Sequence, residues 1–363
     1  MKRTFHPVFL AVFLLGAALR TGSLLRPMDQ PSWREADVLA VARAYHEEGM
    51  NLLYPRIDWR GSGPGYAEME FPLYPWLIAC AYRLFGVNEL YGRFLACLFS
   101  ILALWVFIRL ARYVASETTA LIAGMFFALN PLPTFMGTAI QPEPLMFLCY
   151  IAAAYAFIRW LDSRSVGNES AKYYWLAVIW TALAILAKAT AAHIGLFFAA
   201  LILGAQGLSV LRDRRVWIFG VLAVAPGMLW YLHAHNLWLT YGNSLGVSNE
   251  SHLAGPDLFT NQYFIRGILK QEINWVWTLP GAAVAIFGLS RNRQAREVRY
   301  SFPWLLAAGF YYLAIARTSA DGWAFYYHLP TVAPAALLFG AGIEAITQMS
   351  LPFQNIPARL ETW

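Results

Sequence analysis

Long apolar runs separated by short polar connections set the pattern of this chain. Ten runs approach the length of a membrane crossing: residues 6–24, 91–113, 118–136, 143–160, 173–189, 191–208, 216–234, 272–289, 301–316 and 328–347. A spanning helix takes roughly 17–25 mostly apolar residues, and several of these runs sit near the lower limit. The fifth and sixth are nearly continuous, broken around Lys188 to His193. The pattern predicts an all-α polytopic membrane protein of about 10 spans, one domain over residues 1–363, with no sizeable soluble domain attached. Neither an internal repeat nor a low-complexity tract interrupts it. The first run, Val8 to Leu19, follows Lys2 and Arg3 as a signal peptide would. Small-x-small cleavage signals are poor, so an uncleaved first span is expected.

Two longer polar stretches, about 21–90 and 235–271, lie between the runs. The first has helical segments of its own, Ala36 to Glu48 and Pro72 to Phe85. In the second of these, Leu73, Trp76, Leu77, Cys80, Ala81 and Leu84 recur at helical spacing. That stripe predicts an interfacial helix, with Tyr74, Trp76 and Tyr82 at headgroup depth.

Composition supports the membrane reading: 59% of residues are hydrophobic, mean hydropathy is +0.46 and only 13% are charged, against about 25% charged in soluble chains. The net charge of +6 is scattered. Without a basic stripe interleaved with stacking aromatics, nucleic acid is not an expected partner. The bases do set an orientation. With the N-terminus in the cytoplasm, the inside connections hold Lys2 and Arg3; Arg109 and Arg112; Arg159, Arg164 and Lys172; Arg212, Arg214 and Arg215; and Arg291, Arg293, Arg296 and Arg299. The short outside connection GTAIQPEP has no base. The positive-inside rule then puts both termini in the cytoplasm and both long loops outside. Cys80, Cys97 and Cys149 lie in apolar surroundings without metal-ligand spacing and are read as small buried hydrophobes.

Several polar residues need a reason. Glu35 and Asp37 open the first loop helix, where the helix dipole favours carboxylates and Ser32 can cap. A general base or metal ligand is the competing reading, supported by Arg34 and Arg43 alongside and by Glu68 and Glu70 later in the loop. Residues two apart on an extended segment face the same side. Glu68 and Glu70 can therefore share a cavity, where close like charges raise one pKa or recruit a divalent cation; a solvated loop face is the plain alternative. Gln141 and Glu143 stand at the mouth of the fourth run in QPEPLM. A carboxylate at that depth needs a partner or water, and a second acid facing the cavity of Glu35 would meet that need. Lys188, with His193 following, either snorkels to the surface or opposes a phosphate. Arg83, Arg93 and Arg317 are similar candidates. Tyr326, Tyr327 and His328 open the tenth run, where an aromatic belt accounts for the tyrosines. His233 and His235 would need a third ligand to hold zinc.

Taken in order, the motifs are READ at 34–37 with Ala42 and Arg43, FPLYPWLIACAYRLFG at 71–86, NELYGR at 88–93, QPEPLM at 141–146, LAILAKAT at 183–190 and YYHLP at 326–330. The ordered set resembles the polytopic glycosyltransferases that use a polyprenyl-phosphate sugar donor. These are the protein O-mannosyltransferase and lipid A aminoarabinose transferase relatives of the GT-C fold. The resemblance implies a GT-C helical fold with a large first outer loop and a catalytic carboxylate early in that loop. Glu35 fills that role, with Asp37 in reserve and Glu143 as the second acid. Lys188 matches the family's basic residue at the end of its span. Arg34, Arg93 and Arg317 join it as donor-phosphate ligands. Glu68, Glu70, Tyr74, Tyr327 and His328 are the expected cavity residues.

Two positions depart from the family pattern. Many members place an acid where this chain has Arg34, and many place Lys where it has Glu70. The second change implies either a bound divalent cation, held by Glu68 and Glu70, or a different acceptor. No other cofactor is implied. The chain ends about sixteen residues after the tenth run; of a compact member and a truncated product, the retained motifs favour the compact member. The expected activity is transfer of a hexose or pentose from a polyprenyl-phosphate sugar to a hydroxyl of a lipid, glycan or protein acceptor, with inversion, at the extracytoplasmic face of a bacterial inner membrane. A lipid-linked sugar flippase would carry midplane charges and a repeat. An oligosaccharide polymerase or ligase would place its large loop late.

Overall fold

The computed structural model describes residues 7–25, 32–247, 258, 260–291, 293–314 and 317–349. Lys2 and Arg3, and part of the second loop, lie outside the described residues. The described chain is helical throughout, with only two isolated β-bridges, Arg56 with Tyr66 and Glu68 with Ser244. In order the helices are α1 (Pro7–Thr21), α2 (Trp33–Glu48), α3 (Leu73–Phe85), α4 (Leu90–Val114), α5 (Glu117–Leu129), α6 (Pro131–Met136) and α7 (Glu143–Ser165). They continue with α8 (Ala171–Ala187), α9 (Ile194–Gln206), α10 (Arg214–Tyr241), α11 (Gln262–Gln271), α12 (Leu279–Arg291), α13 (Arg296–Ala314) and α14 (Leu329–Met349).

The expectation of about 10 spans is corrected. Among the described residues, five helical stretches are long and apolar enough to cross a membrane, or six if one bent pair counts as a span. The five are α4, α7, the stretch 189–212 around α9, α10, and the stretch 322–349 ending in α14. The other runs are helical but short or broken. α1, α5 and α8 have 15, 13 and 17 residues. The run at 118–136 breaks where the Asn130 side chain accepts from Leu132 N and Pro131 starts α6; a proline is favoured at a helix start because its missing N–H is not needed there. The run at 272–289 begins as a π-helical turn, Glu272–Trp277, and bends by 87° before α12, at Thr278 with φ 55°. α13 opens on Arg296, Glu297 and Arg299 before turning apolar.

α7 is the central helix. Its spanning window is 89% buried, against 28% for the stretch around α9 and 22% for α10, which therefore form the periphery. α12 and α14 approach so closely that a Cβ on Gly288 would stand 2.6 Å from Gly342 N. α1 carries a buried cation, Arg20, which donates to Ser100 Oγ at 2.9 Å and to the carbonyl of Ala128 at 3.1 Å. That carbonyl lies in the last turn of α5, where a cation is favoured by the helix dipole.

α3 corrects a second expectation. It buries Tyr74, Pro75, Ile78, Ala79 and Tyr82, and leaves Leu84 and Phe85 exposed. Tyr74 and Tyr82 are therefore core residues, not headgroup residues; the Tyr74 hydroxyl donates to Gly92 O at 2.7 Å, tying α3 to the start of α4.

The charged residues separate to two ends. Arg164 pairs with Asp213, Arg215 with Glu169 and Arg296 with Asp162, which gathers the ends of α7, α10 and α13 and the link before α8. The opposite end gathers α2, α3, the starts of α4 and α7, and the end of α8.

Candidate active site

α2 begins with a reciprocal cap. Ser32 Oγ accepts from Glu35 N at 3.3 Å, while Glu35 Oε2 accepts from Ser32 N at 3.0 Å and from the Ser32 hydroxyl at 3.1 Å. This is the Ser-x-x-Glu capping box, which satisfies two otherwise unbonded helix donors. Glu35 Oε1 reaches across the fold and accepts from Ile140 N at 3.1 Å. Glu35 thus caps its own helix and binds α2 to the segment leading into α7. Asp37, two residues on, is half-buried; burial pushes its carboxyl up, against the nearby Arg34 and a hydrogen bond from Trp59.

Arg34 and Glu70 form an ion pair, each side chain 14% exposed. Burial alone would push the Glu70 carboxyl up, but Arg34 and then Lys188 outweigh it and hold Glu70 below the usual carboxylate range. The two positions at which this sequence departs from the pattern of the family it resembles are therefore one interaction.

α7 starts at Glu143, which is fully buried. Its Oε1 pairs with Lys188 Nζ, while Oε2 is buried with no hydrogen-bond partner among the described residues. Gln141 Oε1 is left the same way. Lys188 occupies the extended break after α8 (φ −159°) before the 3-10 turn Ala189–His193, and its side chain is 7% exposed. It does not snorkel outward. Its ammonium lies 4.7 Å from the ring centroid of Tyr326 and 4.6 Å from that of Tyr327, a distance at which a ring face attracts a cation.

A cavity of about 580 Å³ opens beside these groups. Ser32, Arg34, Glu35, Arg93, Gln141 and Tyr326 supply its polar lining, and Phe135, Trp323 and Phe325 an aromatic wall. A far smaller cleft, about 20 Å³, lies between Arg34, Asp37 and Glu70. Cation-bearing and carboxylate groups thus meet beside an apolar surface, an arrangement able to hold a phosphate with an apolar substituent and to take a proton next to it.

Other candidates take other partners. Glu68 is buried and accepts from the Ser244 hydroxyl, with His235 Nδ1 at 3.5 Å. Glu70 has a different partner, Arg34. Among the described residues no group of three His, Cys, Asp or Glu could hold a metal ion. Arg317 is exposed, at the start of the 3-10 turn Arg317–Ala320, and lines neither cavity. His328 is buried: its Nδ1 lies 2.6 Å from Glu272 Oε1 and its Nε2 2.8 Å from Ser319 O. Glu272 also accepts from Tyr312 at 2.7 Å, Thr331 at 2.9 Å and Trp277 Nε1 at 2.6 Å. Sequence reasoning missed Glu272 and Arg20; the available signal for both was a charge at the edge of an apolar run.

The model of the Dolichyl-phosphate-mannose-protein mannosyltransferase family matches residues 69–231, which include Glu70, Glu143 and Lys188. The solved structure of apo ArnT from Cupriavidus metallidurans superposes over 95% of this chain, with a TM-score of 0.69 and 16% identity. The likeness shows a shared helical fold. A second structure, the same ArnT bound to undecaprenyl phosphate, superposes over 93% of this chain and 59% of its own, with a TM-score of 0.65 and 15% identity. The archaeal oligosaccharyltransferase AglB from Archaeoglobus fulgidus, in complex with an inhibitory peptide and a dolichol-phosphate, covers 94% of this chain and 50% of its own, with a TM-score of 0.55 and 14% identity. This chain spans 60% of the length of apo ArnT. No curated protein sequence matches it.

Proposed function

We propose that this protein transfers a sugar from a polyprenyl-phosphate donor to an acceptor hydroxyl. One observation carries the reading: Glu35 lines a cavity of about 580 Å³ together with Arg34 and Arg93, against an aromatic wall. The solved GT-C relatives with undecaprenyl phosphate and with dolichol-phosphate support the donor class.

In this reading the donor phosphate faces Arg34 and Arg93, and the prenyl chain follows the apolar wall toward the bilayer. Glu35 Oε2 is fixed by the cap, while Oε1 has one N–H donor and accepts the proton of the acceptor hydroxyl. Attack on the anomeric carbon inverts it as the lipid phosphate departs. A phosphate leaves without needing a proton, so no acid is required on that side. The guanidinium groups stabilise the charge that develops there, an effect strengthened where water is thin. Lys188, held by Glu143, adds positive potential behind the site, and Asp37 remains the reserve acid. The donor sugar is a hexose or pentose, the acceptor a lipid, glycan or protein of the cell envelope. The loop end faces outward from a bacterial inner membrane, with the basic end in the cytoplasm, consistent with the positive-inside rule.

Membranes containing the full chain, supplied with labelled polyprenyl-phosphate sugars, test this. The expected result is acceptor-dependent release of free polyprenyl phosphate. Transbilayer movement of intact donor without its consumption would identify a flippase instead, and donor that is neither consumed nor moved would also overturn the proposal.

A further inference from the structure

A large cavity lies away from the site just described, at the basic end of the molecule. It measures about 910 Å³ and opens between the ends of α7 and α12, the face of α9 and the start of α13. Arg293, Arg296 and Arg299 line it, with Asp162 as the one acidic group on its wall. The remainder is apolar or small: Leu161, Ala200, Leu201 and Gly204 on one side, Leu289 and Phe302 on the other.

The three arginines differ in what they already do. Arg296 is committed: it pairs with Asp162, donates to Tyr113 O at 3.2 Å and lies over the rings of Tyr113 and Tyr300. This also neutralises Asp162, which accepts from Tyr113 and Tyr300 as well. The Arg293 and Arg299 side chains are exposed and have no ion pair or hydrogen bond among the described residues. The hollow therefore presents two uncommitted guanidinium groups above an apolar floor. The positive-inside rule accounts for arginines near span ends, but not for a cavity of this size beneath them.

The floor is built for a chain rather than a side chain. α9 is peripheral, and Ala200, Gly204 and Ala205 give it a low face; a Cβ on Gly204 would meet no atom within 4 Å. A polar solute would leave this surface uncovered. A phosphate joined to an acyl chain satisfies both halves, and lipid-facing basic pockets between helices select anionic headgroups.

We infer that this cavity binds an anionic phospholipid, its phosphate at Arg293 and Arg299 and one acyl chain along the Ala200–Gly204 face of α9. The site is separate from the donor cavity and does not depend on its assignment.

The test uses the full-length protein in nanodiscs of phosphatidylcholine, titrated with fluorescent phosphatidylglycerol. Saturable binding is expected, about tenfold weaker in the Arg293→Gln/Arg299→Gln double variant. Arg212→Gln/Arg214→Gln, basic positions at the same end but outside the cavity lining, should bind as the unaltered protein does. Gly204→Phe fills the floor without changing charge and should weaken binding several-fold, which separates a seated chain from loose attraction. Inorganic phosphate at the same concentrations should not compete. Equal binding of fluorescent phosphatidylcholine would overturn the inference, as would unchanged affinity in both the arginine and Gly204 variants. Full displacement by inorganic phosphate would make the hollow an anion site, not a lipid site. Thermal unfolding of each variant distinguishes lost binding from lost fold.

Discussion

Ion pairs occur at both ends of this molecule, under opposite conditions. At the basic end, Arg215 is 62% exposed against Glu169, and Arg296 43% exposed against Asp162. At the loop end, Lys188 and Glu143 are 7% and 0% exposed, and one oxygen of Glu143 lacks any hydrogen-bond partner among the described residues. Hydrated pairs gain little and cost little, so their placement reflects topology more than stability. A buried pair with an unsatisfied oxygen is expensive, and an apolar pair of similar volume is often as stable. Its presence is a reason to look for chemistry there, and the cavity lined by Glu35 lies beside it.

The contrast predicts a graded set of effects. Lys188→Met should cost about 3–5 kcal/mol, since it strands the Glu143 carboxylate in the interior; denaturant unfolding in detergent measures this. Adding Glu143→Leu should restore most of the stability while activity stays lost. If the single variant is as stable as the unaltered protein, the contrast between the two ends collapses. Glu35→Gln should reduce transfer by about 100-fold or more, the scale of losing a general base. Glutamine still suits the third position of a capping box, so the helix start should survive and the fold remain intact. Near-normal turnover in that variant would remove Glu35 from the mechanism.

Glu70→Gln should cost about 2 kcal/mol, the scale of a hydrogen bond to a charged group. Its pH dependence has a definite sign. The folded Glu70 carboxyl is held low, so its contribution is fully present above the unfolded value, about 4.3, and is lost as pH falls through the lower folded value. The stability gap between Glu70→Gln and the unaltered protein should be constant near neutrality and close only in that acidic range. The smallest effect belongs to the other end: Arg215→Ala should change stability by less than about 1 kcal/mol, and less again in high salt.

The helical membrane class was legible because apolar runs report directly on burial in lipid or protein. The number of crossings was not, because a run of hydropathy does not register a bend. Asn130–Pro131 carried a visible break signal, and so did Pro280–Gly281 beside the 87° turn at Thr278, but neither shows in a hydropathy average. The Ser32–Glu35 cap could be read locally, three residues apart. The partners of Glu70 and Glu143 could not, since Arg34 and Lys188 stand 36 and 45 residues away and only the packed helices bring them together. The alternation of Glu68 and Glu70 likewise reports backbone direction but not which distant donor each carboxylate meets, Ser244 for Glu68 and Arg34 for Glu70.

The aromatic cover over Lys188 has a consequence for biogenesis. Glu143 and Lys188 are synthesised long before Tyr326 and Tyr327. Until those rings dock, the ammonium has a single carboxylate partner and faces whatever occupies the open side. A nascent chain halted before Gly322 therefore offers the bilayer an ion pair with half its enclosure missing, the kind of intramembrane charge that is costly to leave uncovered. Docking of the 3-10 turn Gly322–His328 ahead of α14 closes that gap, so this step of assembly and the completion of the charged centre are one event.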